Sequence, residues 1–329
     1  MMSRPFVSVV IPTYNRAQQV KAAVESVIGQ TYSDFEVLVI DDGSTDLTRE
    51  AIQQLACEPA NGGKEIRYIR QTNSGQSAAR NRGIQESRGD WIAFLDSDDV
   101  WLPDKLEQQV RAIDYFGGRC GACTADARLL SSSGAGTTAF QVEGKHYEEE
   151  FGIDAEAVNN LAKSFGNYWV SVLLGRADLM KRIGGFDAEI RFAEDRDFHF
   201  RLSLVTAFCY VNRPLALIDR SDSPPGSASR PWDSLDVRLS AQLVMYEKWL
   251  QLEPGLAPGT RRVVEADLRA LHSAWANWHL ENKRYREARH AVSQAAKYDL
   301  TAGVAVKWIL THVAPGVTRQ ITPKGKPYL

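Results

Sequence analysis

Asp90-Trp-Ile-Ala-Phe-Leu-Asp-Ser-Asp-Asp-Val-Trp101 joins an apolar run to a cluster of acids. The apolar run is typical of a buried strand, and three carboxylates, Asp96, Asp98 and Asp99, follow it at once. Carboxylates this close repel one another and lose hydration beside a core strand. A divalent cation that also holds a phosphate-bearing ligand would relieve that repulsion. The structural alternative is an acidic turn in which Asp99 starts the next helix.

Strand-like and helix-like segments alternate four times up to this point. The strands are predicted at 7–11 (ended by Pro12), 35–40, 66–69 and 91–95, and the helices after Arg16 (with an apolar face over 20–28), near 46–57, near 76–87 and from Pro103. Ser44 or Thr45 is the predicted cap of the second helix. Because the strands are apolar throughout, they predict an α/β, Rossmann-like, mostly parallel sheet with helices on both faces.

The composition is that of an ordinary globular protein, with 329 residues, 44% hydrophobic and 24% charged. The net charge of −2 gives no reason to expect nucleic acid as a partner. No run of eighteen apolar residues predicts a membrane span, and a cytoplasmic location is expected. Cys120 and Cys123 lack a second ligand pair for zinc, so they are interpreted as small core residues.

The second half of the chain is less regular. The pattern predicts an irregular excursion over 131–165, a strand over 167–174, and two short strands at 209–212 and 216–219. We therefore predict one domain over 1–220, divided into a nucleotide-sugar half (about 1–100) and an acceptor half (about 101–220). A linker or flap at 221–231 and a helical region at 232–329 follow. The amphipathic segment 304–313 either caps that region, which its short apolar face favours, or contacts an anionic membrane on the cytoplasmic side.

Three polar loops follow predicted strands, at 13–16, 41–46 and 96–99. Ligands of parallel sheets sit at the carboxyl ends of the strands, so the loops are expected to meet in one crevice. We interpret Asp41 as a ligand contact and Asp42 as an N-terminal partner of the following helix. Arg80 suits a diphosphate because its planar fork pairs with two oxygens, although a structural ion pair is the alternative.

Two acidic groups carry the predicted chemistry. Asp96-Ser97-Asp98 supplies few protein ligands, which suits Mg²⁺ or Mn²⁺ with substrate oxygens completing the shell. Glu194 and Asp195 precede a helix, where one of them could deprotonate an acceptor hydroxyl or simply cap that helix. On the same helix we expect Asp197 to pair with Arg201 or cap the helix, and His199 to be packed.

Six motifs in order resemble the inverting glycosyltransferases of family 2. They are Val7-Ser-Val-Val-Ile-Pro-Thr-Tyr-Asn15, Val39-Ile-Asp-Asp-Gly-Ser-Thr-Asp46, Ser77-Ala-Ala-Arg-Asn81, Phe94-Leu-Asp-Ser-Asp-Asp99, Gly184-Gly-Phe-Asp187 and Glu194-Asp195. The resemblance covers residues 6 to 205 and implies a GT-A fold, a nucleotide-diphospho-sugar donor and a divalent cation. The Gln-x-x-Arg-Trp motif of the processive members is absent from the sequence, which favours transfer of a single sugar.

The resemblance also implies roles for individual residues. Asp98, with Asp96, would hold the metal, and Asp195 would be the catalytic base, with neighbouring Glu194 as the alternative. The nucleotide-sugar would be bound by Pro12, Thr13, Tyr14, Asn15, Arg16, Asp41, Asn73, Gly75, Arg80, Asp96 and Ser97. The acceptor side would be shaped by Trp169, Gly184 and Gly185.

Two other classes stay open at this point. A sugar-1-phosphate nucleotidyltransferase would need a Gly-rich, basic loop after the first strand, which Pro12-Thr-Tyr-Asn15 does not provide. A catalytically silent nucleotide-sugar-binding scaffold would not need the acidic motifs. For the transferase, the resemblance implies a UDP-sugar as the donor, with thymidine and guanosine donors left open. A surface glycan, a lipid-linked sugar or a protein is the expected acceptor.

Overall fold

The computed structural model describes residues 7–57, 63–130, 136–163, 169–190, 192–220, 234–299, 301, 303–305 and 308. The chain forms two compact units. The first comprises the described residues of 7–158, 169–189 and 194–220, and the second comprises 159–163, 190, 192–193 and the described residues from 234 onward.

The first half of unit one is a parallel sheet with helical crossovers. Its strands are β1 (Val7–Thr13), β2 (Phe35–Asp41), β3 (Ile66–Arg70) and β4 (Trp91–Phe94), and its helices are α1 (Ala17–Ile28), α2 (Thr48–Cys57) and α3 (Gln76–Glu86). The strand order is β3-β2-β1-β4, with every neighbour parallel. All residues of β1, β2 and β4 are buried, as predicted from their continuous apolar runs.

The second half of unit one extends the same sheet with mixed pairing. Its elements are β5 (Val100–Trp101), α4 (Lys105–Tyr115), β6 (Cys120–Leu130), α5 (Ala139–Val142), β7 (Phe151–Ile153), β8 (Leu174–Arg176), α7 (Ala177–Arg182), α8 (Glu194–Ser203) and β9 (Ala207–Asp219). Helix α6 (Ala157–Ala162) begins in unit one and ends in unit two, because the division falls after residue 158. The order continues β4-β8-β6-β9-β5, and β7 pairs with β9. Because β8 is antiparallel to both β4 and β6, parallel pairing dominates only the first half.

Several predicted strand boundaries are wrong. β1 continues through Pro12 to Thr13 and does not end at the proline. Its pairing with β4 ends at Val10, so no residue of β4 requires an N–H from Pro12. The strand predicted over 167–174 is instead a 3₁₀ turn at 170–172 followed by β8. The two strands predicted over 209–219 form one continuous strand, β9.

The excursion predicted to be irregular contains three short elements among its described residues. Thr138 and Gln141 form a capping box that starts α5, β7 pairs antiparallel with β9, and α6 follows. Cys120 and Cys123 are buried in β6, which confirms their interpretation as core residues.

Unit two contains three long helices among its described residues, which confirms the helical C-terminal region. They are α9 (Leu235–Leu250), α10 (Pro258–Glu281) and α11 (Tyr285–Tyr298). On α11, Ala288, Val292 and Ala295 form a buried face. No helix among the described residues is long and apolar enough to cross a membrane. The flap predicted at 221–231 and most of the amphipathic segment 304–313 lie outside the described residues.

Candidate active site

The carboxyl ends of β1, β2 and β3 meet at one level of the sheet. Thr13 lies opposite Asp41, and Asp41 lies opposite Arg70. The buried Asp41 carboxylate accepts a hydrogen bond from Ser44 N at 2.7 Å and another from the Tyr68 hydroxyl. Burial and this bond to Asp41 raise the pKa of Tyr68, so the phenol stays protonated and keeps donating. Two donors therefore orient the Asp41 carboxylate at the carboxyl edge of the sheet, and its contact with a ligand stays a prediction.

Asp42 connects two loops of the crevice. It accepts hydrogen bonds from Ser74 N at 2.9 Å and Gly75 N at 2.8 Å, and from the Gln71 side chain at 2.8 Å. Gly75 precedes α3 with a φ of 88°, a conformation that favours glycine. The prediction that Asp42 partners the helix immediately after it was wrong, because its carboxylate serves the entry of α3 instead. The cap of α2 is also corrected, since Asp46 rather than Ser44 or Thr45 accepts from Thr48 N at 3.1 Å.

The loop after β1 is tied to the loop after β2. Asn15 has a φ of 52°, and its side-chain oxygen accepts from Thr45 N at 2.7 Å. Its own N–H donates to Ser44 Oγ at 2.9 Å, so the left-handed conformation is held from both sides. The next residue, Arg16, places Nη1 2.5 Å from Asp98 Oδ2.

The remaining predicted nucleotide-side residues line the same loops. Pro12 and Thr13 are buried at the end of β1, whereas Tyr14 is 46% exposed and Asn73 is exposed. The buried Thr13 Oγ1 has no hydrogen-bond partner among the residues that the structure describes. A role for these four residues in lining a nucleotide pocket stays a prediction.

Arg80 is the link between the two acidic motifs. It is only 3% exposed, and its Nη2 donates to Asp96 Oδ1 at 2.7 Å while its Nη1 donates to Glu194 Oε1 at 2.9 Å. Although burial opposes its charge, the two carboxylates raise the pKa of Arg80. The structure therefore contains the ion pairs that were the alternative role of Arg80. They connect the end of β4 with the start of α8.

Asp99 does not start a helix, which corrects the prediction made for it. Its carboxylate accepts from the Ser171 hydroxyl at 2.5 Å and from Asp219 N at 3.1 Å, and α4 begins only at Lys105. Burial and the charge of Asp96 raise the pKa of Asp99 well above its ordinary value. Asp99 therefore anchors the acidic turn against β9.

Asp96 and Asp98 are the two carboxylates that could hold a cation. Their side chains are 32% and 36% exposed, and burial together with the charge of Asp96 raises the pKa of Asp98. In the described part of the chain, no group of three or more metal-ligating side chains converges. Oxygen ligands in this small number fit Mg²⁺ or Mn²⁺, which commonly complete their shell with water and substrate phosphates.

Glu194 and Asp195 occupy the first turn of α8, where Glu194 is buried and Asp195 is partly exposed. Glu194 accepts from Arg80 and also from Gln76 Nε2 at 2.5 Å, and burial and the charge of Asp195 raise its pKa to about 7. Asp195 accepts from Arg196 N at 2.8 Å, and burial raises its pKa. Because Glu194 is committed to two side-chain donors, Asp195 is the better placed of the two to receive a proton.

The rest of α8 follows the predictions. Asp197 pairs with Arg201 at 2.6 Å, and His199 is fully buried. Burial and the charges of Lys145 and Arg80 lower the pKa of His199 to about 3.

The predicted acceptor side also has defined contacts. Gly184 and Gly185 have φ values of 79° and 72°, and a Cβ on Gly185 would lie 2.3 Å from Asn81 Oδ1. Asn81 exchanges two hydrogen bonds of 2.7 Å with the backbone of Phe186, so the Gly-Gly turn is fixed against α3. Contact of Trp169, Gly184 and Gly185 with an acceptor stays a prediction.

Four residues of the site escaped sequence reasoning: Gln76, Tyr68, Ser171 and Arg220. The Arg220 guanidinium lies 4.1 Å from the centre of the Trp169 ring. Burial lowers the pKa of Arg220, opposed by the charges of Asp195, Asp99, Asp98 and Asp96. Its position directly after the last strand of the sheet was the available clue, because that position lies beside the crevice.

The family comparison covers the first half of the sheet and the acidic turn. Residues 8–128 match the Glycosyl transferase family 2 model. Over 107 residues the chain is 40% identical to TuaG of Bacillus subtilis, named a putative teichuronic acid biosynthesis glycosyltransferase, covering 32% of this chain and 41% of that protein. The chain spans between 15% and 41% of the length of five curated relatives that it matches.

Solved structures share the fold over most of the chain. Staphylococcus aureus TarS 1–349 in complex with UDP-GlcNAc aligns with a TM-score of 0.66 at 17% identity, over 93% of this chain and 85% of that one. A mannosyltransferase of Pyrobaculum calidifontis in complex with GDP-Man and Mn²⁺ aligns with a TM-score of 0.58 at 20% identity, over 93% and 79%. The architecture is thus the GT-A fold of nucleotide-sugar transferases, as expected from the motifs. The match of residues 8–128 to glycosyltransferase family 2 agrees with the resemblance drawn from the sequence.

Proposed function

We propose that the chain is a metal-dependent inverting glycosyltransferase that moves one sugar from a nucleotide-diphospho-sugar to an acceptor hydroxyl. The observation that carries this proposal is the Arg80 bridge, with 2.7 Å to Asp96 and 2.9 Å to Glu194. Through it, one side chain links a carboxylate suited to a cation with the Glu194-Asp195 pair suited to proton transfer. Sugar transfer can use both groups, a base for the acceptor hydroxyl and a cation for the charge on the leaving diphosphate.

A UDP-sugar is the proposed donor. Its support is the family 2 domain together with TarS, a protein of like fold solved with UDP-GlcNAc. The printed role of TuaG in teichuronic acid biosynthesis supports a surface glycan or another glycoconjugate as the acceptor. GDP-sugars are the first alternative, because the mannosyltransferase of like fold was solved with GDP-Man and Mn²⁺.

Asp195 is the proposed base. The acceptor hydroxyl loses its proton to Asp195 as its oxygen attacks the anomeric carbon, and the bond to the diphosphate breaks on the opposite face of the sugar. Burial raises the pKa of Asp195, which makes it a better proton acceptor once it is ionised. Glu194, fixed by Arg80 and Gln76, orients the start of α8.

Asp98 and Asp96 are the residues that would hold Mn²⁺ or Mg²⁺. When bound, the cation supplies Lewis-acid stabilisation of the negative charge on the leaving diphosphate. Arg220 adds a second positive charge near the same acids, because the charges of Asp195, Asp99, Asp98 and Asp96 oppose the lowering of its pKa by burial.

A two-stage assay tests this function. The melting temperature is first measured with UDP- and GDP-sugars, each with and without Mn²⁺, and the donor that raises it is then incubated with acceptor panels while nucleoside diphosphate release is followed. We expect release that depends on Mn²⁺ and disappears in Asp98→Asn. No stabilisation by any donor would support a silent scaffold, and pyrophosphate release from a nucleoside triphosphate and a sugar 1-phosphate would support a nucleotidyltransferase.

A further inference from the structure

We propose that Arg16 is a displaceable counter-ion of the cation site. In the absence of the cation it neutralises Asp98, and when the cation takes that carboxylate it turns to the donor diphosphate. This inference rests on the proposed metal-dependent transfer and assigns Arg16 a positioning role within it.

The contact itself has the properties of an exchangeable pair. Arg16 Nη1 lies 2.5 Å from Asp98 Oδ2 and 3.5 Å from Ser97 Oγ. The Arg16 and Asp98 side chains are 23% and 36% exposed, so water reaches both partners. Arg80 differs, because it is 3% exposed and bonded to two carboxylates. Of these two arginines, only Arg16 can leave its acid at low cost.

The backbone beneath Arg16 is fixed. Asn15 is held with a φ of 52° by its bonds to Ser44 and Thr45. On the other side, Ala17 N donates to Asp46 Oδ2 at 3.1 Å. Exchange between two partners therefore requires rotation of the Arg16 side chain and no movement of the loop.

The charges give the exchange a direction. In the structure, Asp96 is paired with Arg80 and Asp98 with Arg16. A divalent ion held by Asp98 would compete with Arg16 for that carboxylate and would repel its guanidinium. The nearest new anion is then the diphosphate that the cation itself binds, and the planar guanidinium fork matches two phosphate oxygens. Arg16 should thus lower the affinity for the cation when no diphosphate is present. It should raise the affinity for the diphosphate when the cation is bound.

Opposite changes in these two affinities would distinguish this proposal from a purely structural role of Arg16. In Arg16→Gln we expect the affinity for Mn²⁺ alone, measured by electron paramagnetic resonance of free Mn²⁺, to rise about two- to fivefold, the range expected for loss of a partly exposed ion pair. The affinity for UDP at saturating Mn²⁺, measured by calorimetry, should fall about tenfold or more through loss of a charge-assisted contact. GDP replaces UDP if the donor assay selects it. Arg16→Lys should give smaller changes of the same signs.

Arg82→Gln is the matched control, because Arg82 lies on α3, is 48% exposed and pairs with Glu86. It should leave both affinities unchanged. A fall of both affinities in Arg16→Gln, or no change in either, would overturn the inference. Mn²⁺ binding that is lost in Asp98→Asn but unchanged in Arg16→Gln overturns the role of Arg16 alone. No Mn²⁺ binding by the unaltered protein, with or without nucleotide, overturns the metal dependence of the proposed function and this inference with it.

Discussion

The carboxylate of Glu194 accepts a hydrogen bond of 2.9 Å from Arg80, although the two residues are 114 positions apart in the chain. Arg80 lies on α3 in the first half of the sheet, and Glu194 starts α8 in the second half. Since the same guanidinium also binds Asp96, a single buried arginine sets the distance between the cation-side acids and the base-side acids.

Removal of this arginine should destabilise the protein. Arg80→Met leaves Glu194 and Asp96 without their shared cation, and loss of one partner of a buried ion pair costs about 3–5 kcal/mol. Arg80 lowers the pKa of Glu194, so its loss lets Glu194 hold a proton to a higher pH. We therefore expect a larger loss of unfolding free energy at pH 8 than at pH 5.5 by urea titration. Arg82→Met is the control, and an equal loss in both variants would contradict the bridging role.

The two neighbouring carboxylates should respond differently to amide replacement. Asp195→Asn removes the proposed proton acceptor, and general-base help is worth about 10²–10⁴-fold in rate. We expect kcat to fall in that range while the affinity for the donor, measured by calorimetry, changes little. Glu194→Gln keeps the shape of a partner for Arg80 and Gln76 and should lower kcat by less. The reverse order of the two effects would assign the base to Glu194.

Sequence reasoning located the acids of the site but not the contacts that hold them. Asp41, Asp96, Asp98 and Asp195 follow from strand ends and motifs, because a parallel sheet gathers such ends at one edge. The donors to these acids come from distant segments. Ser171, for example, lies 72 positions after Asp99, and neither the hydrophobic periodicity nor the spacing of the motifs relates the two residues.

The second half of the sheet was harder to predict for a similar reason. β9 runs for 13 residues through Pro214 and contacts β5, β6 and β7, so its length is set by three partner strands. The local pattern predicted two short strands, 209–212 and 216–219, with Arg213 and Pro214 between them. Tertiary pairing overrides that local preference.

His199 should make the protein sensitive to mild acid. Burial lowers its pKa from 6.5 to about 3, so below pH 6.5 the unfolded chain binds a proton that the folded chain does not. Stability is therefore complete above pH 6.5 and is lost as the pH falls toward 3. At pH 5 the loss from this group is about 2 kcal/mol.

His199→Leu removes the titrating group, and the difference in unfolding free energy between pH 7.5 and pH 5 should shrink by that amount. Urea titrations at both pH values measure it, with His199→Gln as a second variant if the leucine packs poorly. His290→Gln is the control, because His290 is exposed on α11. An unchanged pH difference in both His199 variants would show that the imidazole titrates normally.

Arg220 should set the lower pH limit of transfer. Its charge lowers the pKa of Asp195, against the burial that raises it. In Arg220→Gln the pKa of Asp195 rises, so the base becomes protonated, and therefore inactive, at a higher pH. The acid limb of the pH profile of kcat/KM should move to higher pH, whereas Arg220→Lys should keep it near its original position. Arg213→Gln, on β9 and paired with Asp104, is the control for loss of a nearby arginine. A uniform fall in kcat/KM without movement of the limb would mean that Arg220 acts on the substrate and not on Asp195.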